Sequence, residues 1–539
     1  DAAVSRQKVE VAMRDGIRLA TDIYGADPTG RKPVLLARTP YDKTGMRSRA
    51  ENYARYGYVV VIQDCRGRFA SKGDYVPYNN DKQDSYDTLD WIAAQPWSNG
   101  RCGMFGGSHL GLVQWLAAAE GSPGLVAITP GVTASSQYRV AYRAGALRMA
   151  LIASAGPRSS PLPPSQTLPA SIDLLHEQLP LMHTPLARLE DAVGWSMPWM
   201  TSLLAHHTFD GFWSQTSAED GLAKTTVPVQ ILSGYYDFFH HDSVQDFERM
   251  RRRRPGGPVQ LILGPWTHGS QSRTKTQDVD FGPDAKFDDS ASNLAWFDRF
   301  VKQETTAKFP LVRYFSMGDN RWFEADDWPP RTTSPASVYL HSTGLAINRR
   351  AAGAPRVFTS DPDNPTPSLP GGRKGISRGA LWSPMDLAAF ASRGDVLSYT
   401  GEPLREPVRF AGPIVAEIWG ESDTPDADWV VRLIDVQPDG FALGLAQGIV
   451  RSRFRNSESR PEPLVPGRVY KFDIDLGSVA AQIGVGHRIR VEIAGSSFPI
   501  YDRNLHTGKG AFSTEKLVAH QKVYNDAKHA SRVILPVAK

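Results

Sequence analysis

From the amino terminus to about residue 130, apolar residues come in short uninterrupted runs separated by amphipathic stretches. PVLLARTP (33–40), YVVVIQD (58–64) and CGMFGG (102–107) are β-rich, and each ends in loop chemistry. Runs that are apolar without alternation suit strands covered on both faces, as in a parallel sheet under helices. SYDTLDWIAAQ (85–95), between the second and third runs, spaces its apolar residues as a helix does. The rhythm returns in VPVQILSG (227–234) and PVQLILG (258–264), with HDSVQDFERMRR (241–252) as the helix between them. The pattern predicts a doubly wound α/β domain made of residues 1–137 and 226–309.

Residues 138–225 break that rhythm. They contain PRSSPLPPS and LPASIDLLHEQLPLM and are rich in aromatics: Trp195, Trp199, Phe209, Phe212 and Trp213. A helical cap inserted over the carboxyl edge of the sheet is expected, as a lid or pocket wall. From 310 to 539 the texture changes to short alternating runs such as PVRFAGPIVAEIWGES and HRIRVEIAGSSF, cut by Pro, Gly and Asp turns. That predicts a β-sandwich or jelly roll. SDPDNPTPSLPGGRKG (360–375) reads as loop, and no internal repeat is visible.

Composition narrows the classes. Among 539 residues, 61 basic and 57 acidic side chains leave a net charge of +4, too balanced for a nucleic-acid or membrane partner. No apolar run reaches the roughly 18–20 residues of a membrane span. The run Arg251 to Arg254 precedes Pro255-Gly256-Gly257 and reads as a solvated helix end. Cys65 and Cys102 are expected as two unpaired thiols. The chain begins Asp1-Ala2-Ala3-Val4 without a methionine, so either a leader has been removed or the chain was trimmed, and a secreted or periplasmic location is slightly preferred over a cytoplasmic one.

The chemistry centres on GRCGMFGGSHLGLVQW (100–115), where Ser108 lies among Gly103, Gly106, Gly107 and Gly111. A strand that turns sharply into a helix at a serine exposes the hydroxyl, and small neighbours keep the backbone from colliding. The usual pattern is G-x-S-x-G; here its last position is Leu110, and a purely structural Gly-Ser turn is the competing reading. A serine nucleophile needs a base and an acid to orient it, in the chain order Ser, acid, His. Asp237 follows VPVQILSGYY and His268 follows PVQLILGPWT, so both fall just past later strands, at the edge expected for Ser108. The backbone N–H of His109 opens the following helix and is one candidate oxyanion donor. Tyr41, in the loop after the first run, is a second through its hydroxyl, with a packed aromatic as its alternative.

RTPYDK, DCRGRFASKGDYVP, DTLDWIAAQPWSNGRCGMFGGSHLG, SGYYDFF and GPWTHG, continuing through WFDRFVK and later LAAFASRGDVLSYTGEPL, mark the resemblance. The chain resembles the cocaine esterase-like acyl esterases, a branch of the X-Pro dipeptidyl-peptidase (S15-type) superfamily of serine hydrolases, over nearly its whole length. The resemblance implies an α/β-hydrolase domain, a helical cap and a C-terminal jelly roll. It also implies Ser108 as nucleophile, His268 as base, Asp237 as its orienter, and an oxyanion hole from the Tyr41 hydroxyl and the His109 N–H. No cofactor and no metal are expected. One position departs from the pattern: the family usually carries tyrosine after the nucleophile, where this chain has His109.

Relatives that hydrolyse α-amino acid esters place carboxylates two and three residues after the catalytic acid. Here those positions hold Phe239 and His240, and phenylalanine cannot pair with an ammonium. A small-molecule ester with an aromatic or hydrophobic acyl group is therefore the expected substrate. Trp266, Trp195, Trp199 and Phe212 are candidate pocket walls, with core packing as the alternative for each. A homodimer or higher homo-oligomer stays open. The competing functions are an α-amino acid ester hydrolase or β-lactam acylase, an X-Pro dipeptidyl peptidase, for which no ammonium anchor is found, and a non-catalytic carbohydrate-binding sandwich. A metal centre at Asp237, His240, His241 and Asp242 lacks a distant further ligand.

Overall fold

The uninterrupted apolar runs become interior strands of a ten-stranded sheet in the computed structural model, which describes residues 3–153, 180–193, 198–347, 353–370 and 381–539. Its strands are β1 (Arg6–Ala12), β2 (Arg18–Tyr24), β3 (Lys32–Thr39), β4 (Val59–Asp64), β5 (Ser98–Gly107), β6 (Leu125–Gly131), β7 (Val229–Gly234), β8 (Val259–Gly264), β9 (Val312–Ser316) and β10 (Arg321–Ala325). They lie in the order β1-β2-β4-β3-β5-β6-β7-β8-β9-β10. The pairs from β4 to β9 are parallel, and those at the two edges antiparallel. Every residue of β4 is buried, as an unbroken apolar run requires. Helices α1 (Arg47–Arg55), α2 (Asp81–Ala93), α3 (His109–Glu120), α4 (His240–Arg253) and α5 (Asp289–Phe297) lie between the strands in sequence. The sheet extends through Ala325, past the expected division at 309/310.

Between β6 and β7 the described residues form short helices, Gln137–Ala141, Leu189–Val193 and Pro198–Ala205, with 3-10 turns and a two-residue ladder between Tyr142–Arg143 and Ala146–Leu147. This cap does not bury its apolar residues alone. Tyr138, Tyr142 and Trp213 share one core with Val430, Ile449, Phe498 and Ile500 from the C-terminal half.

That half is a β-sandwich. A seven-stranded antiparallel sheet surrounds Val408–Ser422, whose residues alternate in burial. The second sheet has four strands, Val396–Thr400, Arg488–Ala494, Asp428–Val436 and Ala442–Arg451. Asp428–Val436 is buried throughout. The sandwich is tied to the α/β sheet by backbone bonds from the Met317 N–H to the Ala480 carbonyl and from the Gln482 N–H to the Met317 carbonyl. Cys65 and Cys102 are free and buried. No described helix is long and apolar enough to cross a membrane.

Candidate active site

The turn from β5 into α3 is strained at Ser108, with φ 59° and ψ −125°. Non-glycine residues hold such angles only where their surroundings over-determine them. Here the Ser108 N–H donates to the Gly131 carbonyl at 2.9 Å, and Thr133 Oγ1 donates to the Ser108 carbonyl at 2.8 Å. Two glycines permit the approach. Gly106 sits at φ +126°, and a Cβ there would lie 2.7 Å from Leu110; a Cβ on Gly111 would lie 2.6 Å from Thr133 Cγ2. Ser108 is partly exposed at this elbow.

Neighbouring parallel strands deliver the other groups to the same edge. Gly107 is in register with Gly131 across β5 and β6, Gly131 with Leu232 across β6 and β7, and Gly234 with Gly264 across β7 and β8. Asp237 follows β7 and His268 follows β8. His268 Nδ1 stands 2.8 Å from Asp237 Oδ2, with the carboxylate buried and the imidazole 19% exposed. The Phe239 N–H donates to the other carboxylate oxygen, Asp237 Oδ1, at 2.7 Å. Both oxygens are thus committed, which fixes the carboxylate against the ring.

Aromatic rings enclose that histidine. Phe238 stacks on it with centroids 4.3 Å apart, and Phe239, buried, meets it edge-on at 6.0 Å. Trp382 packs on Phe238 at 5.2 Å from the C-terminal half. Arg148, from the cap, donates to the Phe238 carbonyl at 2.7 Å and pairs with Asp242 at 2.6 Å. Phe238, Trp382 and Arg148 carry no local sequence signal of this role, because their meeting is entirely tertiary.

Tyr41 is 56% exposed on the loop after β3, and its ring meets that of His109 edge-on at 6.2 Å. His109 itself is buried, stacked on Tyr78 at 4.1 Å.

The expected pocket walls fare differently. Trp266 is a core residue: its indole fills the space left by Gly264, its backbone carbonyl lies close to Gly234, and the ring bonds the Ala285 carbonyl and packs on Phe287 and Trp322. Phe212 lies on the cap surface, stacked on His206. Trp199 packs half-buried against the core shared by cap and sandwich. Trp195 lies outside the described residues. His240 is buried and bolts α4 to the sandwich, its Nε2 lying 2.7 Å from the Ser478 carbonyl oxygen; burial lowers its pKa to about 4. It lines a partly open cavity together with Asp237, Phe238 and Trp382.

The four residues weighed as a metal centre are engaged apart from one another: Asp237 with His268, His240 with Ser478, His241 with Asp475 and Arg143, and Asp242 with Arg148. Among the described residues, metal-capable side chains gather at Cys65, Asp81 and His109. The Arg38 guanidinium already supplies the positive charge there, with Nη1 2.8 Å from Asp81 Oδ1.

A serine on a strained elbow and an acid-bound histidine at one edge of a parallel sheet define an α/β-hydrolase. Residues 15–270 match the model of the X-Pro dipeptidyl-peptidase (S15) family, and residues 305–534 match that of the X-Pro dipeptidyl-peptidase C-terminal non-catalytic domain. Cocaine esterase of Rhodococcus sp. (strain MB1 Bresler) is 35% identical, with 98% of each chain covered. Among solved structures, an aminopeptidase from a marine sediment Thaumarchaeota archaeon superposes with a TM-score of 0.88 at 27% identity, over 99% of this chain and 97% of that one. An α-amino acid ester hydrolase superposes with 0.87 at 25% identity, over 100% and 98%. The chain belongs to the S15 family, among its cocaine esterase-like members. It is a serine ester hydrolase.

Proposed function

We propose that this enzyme cleaves carboxylic esters bearing an uncharged aromatic or hydrophobic acyl group, through an acyl-enzyme on Ser108. Asp237 accepts the Nδ1–H of His268 and so leaves Nε2 as the basic nitrogen. Nε2 takes the Ser108 proton as Oγ attacks the ester carbonyl. The Tyr41 hydroxyl and the His109 N–H then receive the oxyanion, aided by the N-terminal dipole of α3. The tetrahedral intermediate collapses, and the alcohol leaves with the proton from His268. Water, deprotonated by the same imidazole, releases the acid.

The observation that supports the acyl preference is Phe239, two residues after Asp237, buried and edge-on to His268. With Phe238 and Trp382 it makes the surroundings of the base apolar and aromatic. An α-ammonium would need a free carboxylate, and the nearby Asp242 is already paired with buried Arg148. The second reading, an amino-acid ester or amino-terminal peptide substrate, is favoured only by the two solved relatives so named. A panel of p-nitrophenyl esters decides between them. Benzoyl and longer aliphatic acyl groups are expected to exceed aminoacyl groups in kcat/KM, and an aminoacyl preference would reverse the assignment of Phe239.

A further inference from the structure

His109 occupies the position where the family usually carries tyrosine, and its side chain is more than filler. It is the first residue of α3, so its imidazole and the backbone N–H assigned to the oxyanion belong to one residue. The ring is 5% exposed and sandwiched by fixed partners. Tyr78 stacks on it at 4.1 Å and 18°, Tyr75 lies tilted at 6.4 Å, and Tyr41 stands edge-on at 6.2 Å. Its buried Nε2 makes no hydrogen bond among the described residues and faces the start of α2, 3.5 Å from Asp81 Oδ2. That carboxylate is itself held by Arg38, a buried side chain that also bonds Gln63 and Ser85. The chain Arg38–Asp81–His109 therefore runs from the sheet to the residue beside the nucleophile.

We infer that Asp81 and His109 are positioning residues for the oxyanion hole: the buried pair fixes the first turn of α3 and, through the ring contact with Tyr41, registers both oxyanion donors on one imidazole. Gly131 and Thr133 hold the elbow at Ser108, and this pair holds it one residue further on. Burial lowers the His109 pKa against the pull of Asp81, the carboxylate that Nε2 faces. A hydrogen-bond donor displaced by even 1 Å loses much of its hold on a developing charge, so such a clamp acts on kcat more than on KM.

This inference rests on the assignment of Ser108 as nucleophile, and the test separates the two. With p-nitrophenyl benzoate as probe, His109→Phe keeps the stack on Tyr78 but removes Nε2. It is expected to lower kcat by about tenfold or more with KM within about twofold. His109→Gln returns a side-chain N–H to that place and is expected to recover kcat to within about threefold of the parent. Asp81→Asn, which keeps an acceptor for Arg38, is the second variant and should reproduce the loss in kcat. Unchanged kcat in folded His109→Phe, or in Asp81→Asn where His109→Phe does not fold, overturns the inference; so does a loss that glutamine does not recover. Hydrolysis retained by Ser108→Ala would instead remove the nucleophile assignment beneath it.

Discussion

His268 Nδ1 and Asp237 Oδ2 stand 2.8 Å apart although the two residues are 31 positions apart in the chain. Adjacent parallel strands make the meeting: Gly234 ends one opposite Gly264 at the end of the other, and each side chain follows a few residues later. The Phe239 N–H on the second carboxylate oxygen keeps Asp237 from turning away. Asp237→Asn should leave the fold intact and lower kcat by about 10⁴, because an amide can turn its NH₂ to the ring and select the wrong tautomer. Steady-state kinetics alongside circular dichroism checks this.

Tyr41→Phe removes one hydroxyl at an exposed site, so stability should be nearly unchanged. As an oxyanion donor its loss should cost about 2.7–4 kcal/mol of transition-state stabilisation, or about 10²–10³ in kcat, with KM little altered. Undiminished turnover would take Tyr41 out of the oxyanion hole.

Gly111→Ala pushes a methyl to 2.6 Å from Thr133 Cγ2 and 3.2 Å from the Gly131 carbonyl oxygen, two residues that hold the elbow. Overpacking of this kind costs about 1–3 kcal/mol. The melting temperature should fall, and kcat should fall with it because the displaced Thr133 loosens Ser108.

His240 sets a pH dependence of stability. Burial lowers its folded pKa to about 4 from the ordinary imidazole value of 6.5. Between those values the unfolded chain binds a proton that the folded chain refuses, so stability falls as pH drops from about 6.5 towards 4. The effect is on the order of 1–3 kcal/mol, fully lost near the lower value. Denaturant unfolding at pH 7 and pH 4.5 should show this slope, and His240→Gln should make it shallower, with buried His109 and His241, lowered likewise, supplying part of the rest.

The interior strands were legible because burial on both faces writes an unbroken apolar run, as in β4, where every position is covered. Helices α2 and α4 followed from spacing, and the places of Ser108, Asp237 and His268 from the strand ends before them. The outer strands were not legible. β1 buries little of its length, and β9 with β10 has the short alternating texture of the sandwich strands that follow. Trp266, weighed as a pocket wall or a core residue from its place two residues before His268, packs in the core. Its indole turns inward over Gly264, into space that the absence of a side chain there leaves open. Trp382 reaches Phe238 from the far half of the chain, a contact no local pattern encodes.

The proposed ester hydrolysis stands on covalent acylation of Ser108 with His268 as its base. Mass spectrometry of the enzyme inactivated by a fluorophosphonate tests it most directly. A single adduct is expected on the peptide bearing Ser108, absent from Ser108→Ala and formed far more slowly in His268→Ala. An adduct on a different residue, or ester hydrolysis undiminished in Ser108→Ala, would contradict it.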